Sequence, residues 1–210
     1  MTVPTTAPEV TAVPFVRDGT FEGQVIDSAY NQRIQVLSYR FQDAGAFVGA
    51  LRDRADERGF GKVFMKARAG DAAALEAAGM VREATIEGYY GGEDAAVLAL
   101  FVRPERSEQP HRAEQDEILA KVRAAEPQPE PPPLPPKHRS YTAGKADAEE
   151  LAALYGEVFA SYPYPINDPA YLVDTMRSHV VYRIVRDDSG RVVAAASGET
   201  DREHGNAEMT

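Results

Sequence analysis

The chain predicts a mixed α/β fold in two regions, and three observations carry that expectation. Short runs rich in β-branched and aromatic residues alternate with runs of helical period, the pattern of a mixed sheet with helices packed on it. A proline-dense stretch, residues 126–138, lies between two patterned regions; its core from Pro127 to Pro136 holds seven of the chain's fifteen prolines. Such a run favours extended polyproline II and acts as a semi-rigid spacer, or else as a docking segment for an aromatic groove. Each region also carries a strand–turn–strand signal, at Gly91-Gly92 in the first and at Asp187 to Gly190 in the second.

Residues 1–19 read as a disordered lead-in, without the basic start and apolar core of a signal peptide. The first α/β region, 20–125, opens with two half-buried strands over Phe21–Asp27 and Arg33–Tyr39. Phe47, Val48, Leu51 and Ala55 then mark one face of a helix, with Asp43 as N-cap and Gly59 as its stop. A short strand at Lys62–Lys66, an Ala-rich helix at Asp71–Ala78 and strands at Met80–Tyr90 and Ala95–Val102 complete the order β, β, α, β, α, β, β. Glu114–Ala125 is a charged, exposed helix.

The second region, 139–210, starts with a strand at Arg139–Thr142. Asp147 and Glu150 have capping-box spacing, ahead of Leu151, Leu154, Tyr155, Val158 and Phe159 on one helical face. Asp168-Pro169 caps and opens a second helix, which runs to about Met176. Two strands follow, Val180–Arg186 and Arg191–Ser197, and a further one begins at Asn206, so the region reads as a domain cut short.

Net charge is −10 with a pI near 4.9, which argues against nucleic acid or an anionic membrane as partner and mildly favours a cationic ligand. The absence of cysteine excludes disulfides and thiolate chemistry. No apolar run approaches the ~20 residues of a membrane span. A cytoplasmic location is expected. His111, His138, His179 and His204 are scattered and show no metal-ligand spacing, so no metal is expected. The one stretch that suggests a site is Tyr162-Pro163-Tyr164-Pro165, between the two helices of the second region. Proline fixes its own φ and restrains the preceding residue, so this turn is both stiff and aromatic. It serves either as the wall of a small-ligand pocket or as packing at a helix corner.

The order strand, helix, turn, helix, hairpin, strand resembles the opening half of an N-acetyltransferase of the GNAT superfamily. The run from Tyr155 to Leu172 with Thr175-Met176, the segment Ala195–Glu199 and the segment Asn206–Thr210 resemble the β-lysine N-acetyltransferases in particular. The first region matches that family more loosely, at Asn31–Leu37, Gly59-Phe60, Lys66, Gly79 and Ile86–Gly91. The resemblance implies transfer of an acetyl group from acetyl-CoA, as co-substrate, to the side-chain amine of β-lysine, a step in compatible-solute synthesis and osmoadaptation. It draws attention to Tyr162, Tyr164 and Asp168 for the substrate and to Glu208 and Glu199 as catalytic carboxylates. It makes Met209 and Thr210 neighbours of the pantetheine arm. The family's Q/R-x-x-G-x-G/A loop, whose amides hold the CoA pyrophosphate, is expected just beyond Thr210.

The first region resembles the later half of a GNAT fold, so the two regions could share one permuted sheet, or the first could be a degenerate unit beside an incomplete domain. Two function classes follow: an N-acetyltransferase acting on a small cationic amine, or a non-catalytic GNAT-like binding module. Oligomeric state is not legible.

Overall fold

The computed structural model describes residues 12–17, 19–126, 130 and 132–209. Its strands form two separate sheets. The first has the order β1 (Ala12–Pro14), β2 (Phe21–Ser28), β3 (Arg33–Phe41), β4 (Lys62–Arg68), β6 (Glu93–Phe101), β5 (Val81–Tyr90). Only β3 and β4 pair in parallel, as the crossover through α1 (Ala44–Arg58) requires. α1 begins where Asp43 Oδ1 accepts the amide of Ala46 at 3.0 Å, and it ends at Gly59, whose φ of +69° is the left-handed stop that glycine adopts without strain. Phe47, Val48, Leu51 and Ala55 are all buried, as their spacing predicts. With α2 (Ala69–Ala77) they close a core that includes Ile34, Met65 and Leu98. α3 (Arg112–Ala124) is exposed throughout and carries the i,i+4 pairs Arg112–Asp116 and Lys121–Glu117.

The second sheet is antiparallel throughout, in the order β10 (Asn206–Met209), β9 (Val192–Asp201), β8 (Val180–Arg186), β7 (Arg139–Thr142). Helices α4 (Ala148–Val158) and α5 (Pro169–Met176) connect β7 to β8 and cover one face. They bury Leu151 and Leu172 against Tyr182 and Ile184 in a second, distinct core.

Three expectations need correction. The lead-in to residue 19 already contains structure: β1 pairs with β2, and Phe15 is buried, stacked 5.0 Å from Phe21. A stacked aromatic pair holds a short strand that propensity alone does not reveal. The lead-in before Ala12 lies outside the described residues, as do positions 127–129 and 131 of the proline run. Next, Asp147 occupies the N-cap position of α4 but does not cap it with its side chain. Its carboxylate accepts the amide of Gly144 at 2.7 Å and the guanidinium of Arg186 at 2.7 Å, because a 3-10 turn over Lys145–Asp147 points it back toward β8. Finally, among the described residues no strand pairing joins the two sheets, which rules out a single permuted sheet for them.

The units meet instead through side chains. Asn206 Nδ2 donates to the Tyr89 carbonyl at 2.6 Å, the Arg68 guanidinium lies 3.2 Å from His204 Nε2, and Asn31 Nδ2 donates to the Pro163 carbonyl at 3.3 Å. Among the described residues no helix is long and apolar enough to cross a membrane.

Candidate functional site

The end of α4 and the start of α5 do not close over the sheet, and the loop between them holds the gap open. Phe159 ends α4 in an extended conformation, and Pro163 and Pro165 deny the following backbone a helical path. The chain then tightens, with the Ile166 amide donating to the Tyr164 carbonyl at 2.8 Å and the Asp168 amide to the Pro165 carbonyl at 2.9 Å. Tyr162 and Tyr164 thus face a cavity of about 250 Å³ between helices and sheet. Tyr155 and Phe159 from α4 and Tyr171 from α5 form its other aromatic walls, with Tyr182, Ser197 and Glu199 from β8 and β9 beneath.

The rings are arranged as contacting pairs. Phe159 and Tyr162 lie 5.1 Å apart, and Tyr164 stacks on Tyr171 at 6.5 Å with planes only 8° apart. Tyr182 OH is held 2.9 Å from Thr175 Oγ1, which fixes that phenol beneath the cavity. Burial pushes the Tyr155 phenol up to about 12, helped by the neighbouring Tyr182 and opposed by hydrogen bonding to Ser197. Burial likewise raises Tyr171, Tyr182 and Tyr162, and the Glu199 carboxylate adds to each. All four phenols therefore stay neutral near pH 7. The one carboxylate among the cavity's lining residues is Glu199.

Of the residues singled out from sequence, Tyr162, Tyr164 and Glu199 come together in this cavity. Glu208 sits directly opposite Glu199 in the β9–β10 register and is ion-paired at 2.8 Å to Lys66 of the first unit. Asp168 does not reach the cavity: its Oδ1 accepts the Ala170 amide at 2.9 Å and caps α5, so its carboxylate is spent on the helix. Met209 is exposed at the edge strand, and Thr210 lies outside the described residues. Sequence reasoning missed Tyr155, Phe159, Tyr171, Tyr182 and Ser197 as cavity residues. Strand alternation carried a signal for two of them, since Ser197 and Glu199 share a face and Tyr182 pairs with Ser197. Among the described residues no group of His, Asp or Glu is placed to hold a metal.

An aromatic cavity with one carboxylate is suited to a ligand with an alkylammonium group. No family model matches the chain. It is 31% identical over 183 residues to the β-lysine N(6)-acetyltransferase of Methanococcus maripaludis, covering 87% of this chain and 66% of the relative. It is 33% identical over 187 residues to the N-acetyltransferase YodP of Bacillus subtilis, covering 86% of this chain and 65% of the relative. The chain is thus similar to N-acetyltransferases over most of its length. A further relative, 28% identical over 191 residues, is the β-lysine N(6)-acetyltransferase of Methanosarcina mazei, with 81% of this chain and 69% of the relative covered. The chain thus spans just under two thirds of the length of the first two relatives. Among solved structures, a tandem GNAT protein from the clavulanic acid pathway aligns over 95% of the chain and 62% of its own, with TM-score 0.48 and 14% identity. The ribosomal-protein-S18-alanine N-acetyltransferase of Escherichia coli aligns over 43% and 69%, with TM-score 0.36 and 22% identity.

N-acetyltransferases such as these relatives use acetyl-CoA as co-substrate. β10 pairs with β9 on one side only, and no described strand takes its other edge. Such an edge offers backbone donors and acceptors to an amide-bearing arm. The pyrophosphate finds no comparable fit. Every described α-helix carries an acidic residue at its cap or in its first turn: Asp43, Asp71, Glu114, Asp147 and Asp168 respectively. A carboxylate at a helix N-terminus opposes the binding of a second anion there.

Proposed function

We propose that the chain carries the acceptor side of an N-acetyltransferase that moves the acetyl group of acetyl-CoA to the side-chain amine of β-lysine or a closely related diamine. The single observation that carries this reading is Glu199, a carboxylate facing a cavity whose other polar groups are neutral phenols and a serine hydroxyl. The names of the curated relatives support the acceptor's identity. With that acceptor, the product would be a compatible solute made in the cytoplasm.

Acetyl-CoA supplies an activated thioester carbonyl. The tyrosines hold the acceptor's ammonium carbon chain, and Tyr162 and Tyr164 turn their ring faces to the cation. Glu199 takes the proton that the ammonium must lose before its nitrogen can attack. The new C–N bond then replaces the C–S bond, and the thiol departs. Glu208 stands beside Glu199 as a second carboxylate on the same face. Met209 would adjoin the pantetheine arm.

A second reading is a GNAT-like module that binds an amine without transferring acetyl, and the acidic helix N-termini favour it for the described residues. Titrating the chain with β-lysine and acetyl-CoA while following free thiol separates the two. Thiol release dependent on β-lysine supports the transferase. Saturable β-lysine binding without acetyl-CoA binding or thiol release supports the module. Binding of neither ligand would overturn both.

A further inference from the structure

Glu199 and Glu208 are direct cross-strand partners, so their side chains leave the sheet on one face. Like charges in that relation repel. The counter-charge comes from the other unit. Lys66 Nζ lies 2.8 Å from Glu208 Oε2, 3.1 Å from Tyr89 OH and 4.8 Å from the centre of the Tyr89 ring. The lysine is the more buried partner, with its side chain 24% exposed against 63% for Glu208. It is therefore fixed by β4 and Tyr89 more than by the carboxylate it meets. Glu199 has no cationic partner among the described residues. Glu199 lines the cavity, and the strand register sets Glu208 beside it at the cavity's edge.

From this arrangement, and resting on the amine-acceptor reading of the cavity, we infer that Lys66 is a specificity-determining residue. It neutralises Glu208, so that the carboxylate pair shows a ligand one net negative charge, at Glu199, matched to one ammonium group. Two carboxylates and one lysine sum to −1; without the lysine the sum is −2, and a second ammonium on the ligand gains a partner at Glu208. The first unit, which contributes nothing to the cavity's lining, thereby sets the charge the cavity recognises.

Calorimetric titration of the 210-residue chain with n-pentylamine and with cadaverine tests this. These probes share a five-carbon chain and differ by one ammonium. Lys66→Met is expected to raise the cadaverine-to-pentylamine affinity ratio by roughly fivefold, the effect of freeing one partly exposed carboxylate. Lys66→Arg keeps the charge and is expected to leave the ratio unchanged. A purely structural loss would weaken both probes alike and leave the ratio unmoved. Should Lys66→Met fail to fold, Glu208→Gln reports in the opposite direction: the lysine is left unopposed and the ratio falls below that of the unchanged chain. Equal ratios in every folded variant would sink the inference while leaving amine recognition intact. If the unchanged chain bound neither amine, the acceptor reading and the inference would fall together.

Discussion

At the scale of single residues, the cavity's chemistry rests on Glu199 and on the faces of neutral tyrosines. Removing the charge while keeping the shape is the cleanest probe. Glu199→Gln is expected to weaken amine binding about tenfold, since it removes the charge from a charge-assisted contact. Tyr162→Phe keeps the ring face and should bind nearly as well, whereas Tyr162→Ala should lose several-fold affinity, in line with roughly 0.5–2 kcal/mol for a cation–π contact. Calorimetry on the three variants checks both. An unchanged affinity in Glu199→Gln would mean that the carboxylate does not meet the ligand.

The elements that aim these side chains depend on local polar contacts with measurable effects. Asp168 caps α5, and α5 carries Tyr171 and the buried Leu172. Asp168→Ala should cost about 1 kcal/mol of stability, read from denaturant midpoints, and should also loosen the cavity. Asp147 joins the turn before α4 to β8, with the Gly144 amide and the Arg186 guanidinium holding its carboxyl below the usual range. A carboxyl with a lowered folded pKa contributes stability that is present above its unfolded pKa and lost as pH falls through the folded value. Thermal unfolding followed downward from pH 5 should therefore show a loss setting in near and below about pH 3.8, the ordinary value for this group, which is smaller in Asp147→Asn. The effect is modest because the Asp147–Arg186 pair, about a quarter exposed on each side, is still partly screened by solvent.

For the molecule as a whole, two cores without a shared sheet suggest two units, with the boundary proposed at 126–138. Phe47→Ala in the first core and Leu151→Ala in the second should each cost about 2–5 kcal/mol. They should add in the double variant, since they share no buried cluster. Marked non-additivity in chemical denaturation would show that the two cores are energetically coupled. Much of this architecture was legible in the residues. The apolar periodicity of α1, the glycine stop at Gly59, the proline start of α5 and the turn signals all act through near neighbours in sequence. β1 was not legible, because Phe15 is recruited by Phe21 and Phe47 across the fold rather than by any local preference. The cavity was half legible. The stiff Tyr162–Pro165 turn announced itself, while Asp168 looked equally suited to a ligand and to a helix cap, and the cap prevailed. The role of Lys66 was beyond reach, since its partner Glu208 lies 142 residues along the chain and in the other unit.

The tyrosine-lined cavity has an optical consequence. The chain contains ten tyrosines and no tryptophan, and five of those tyrosines, 155, 162, 164, 171 and 182, line one cavity. Ultraviolet emission therefore comes from tyrosine alone, without the indole signal that ordinarily drowns it. Half of the emitters surround the place where a ligand would sit. The protein carries its own fluorescent reporter of occupancy, so binding can be followed without a dye, a label or an engineered probe.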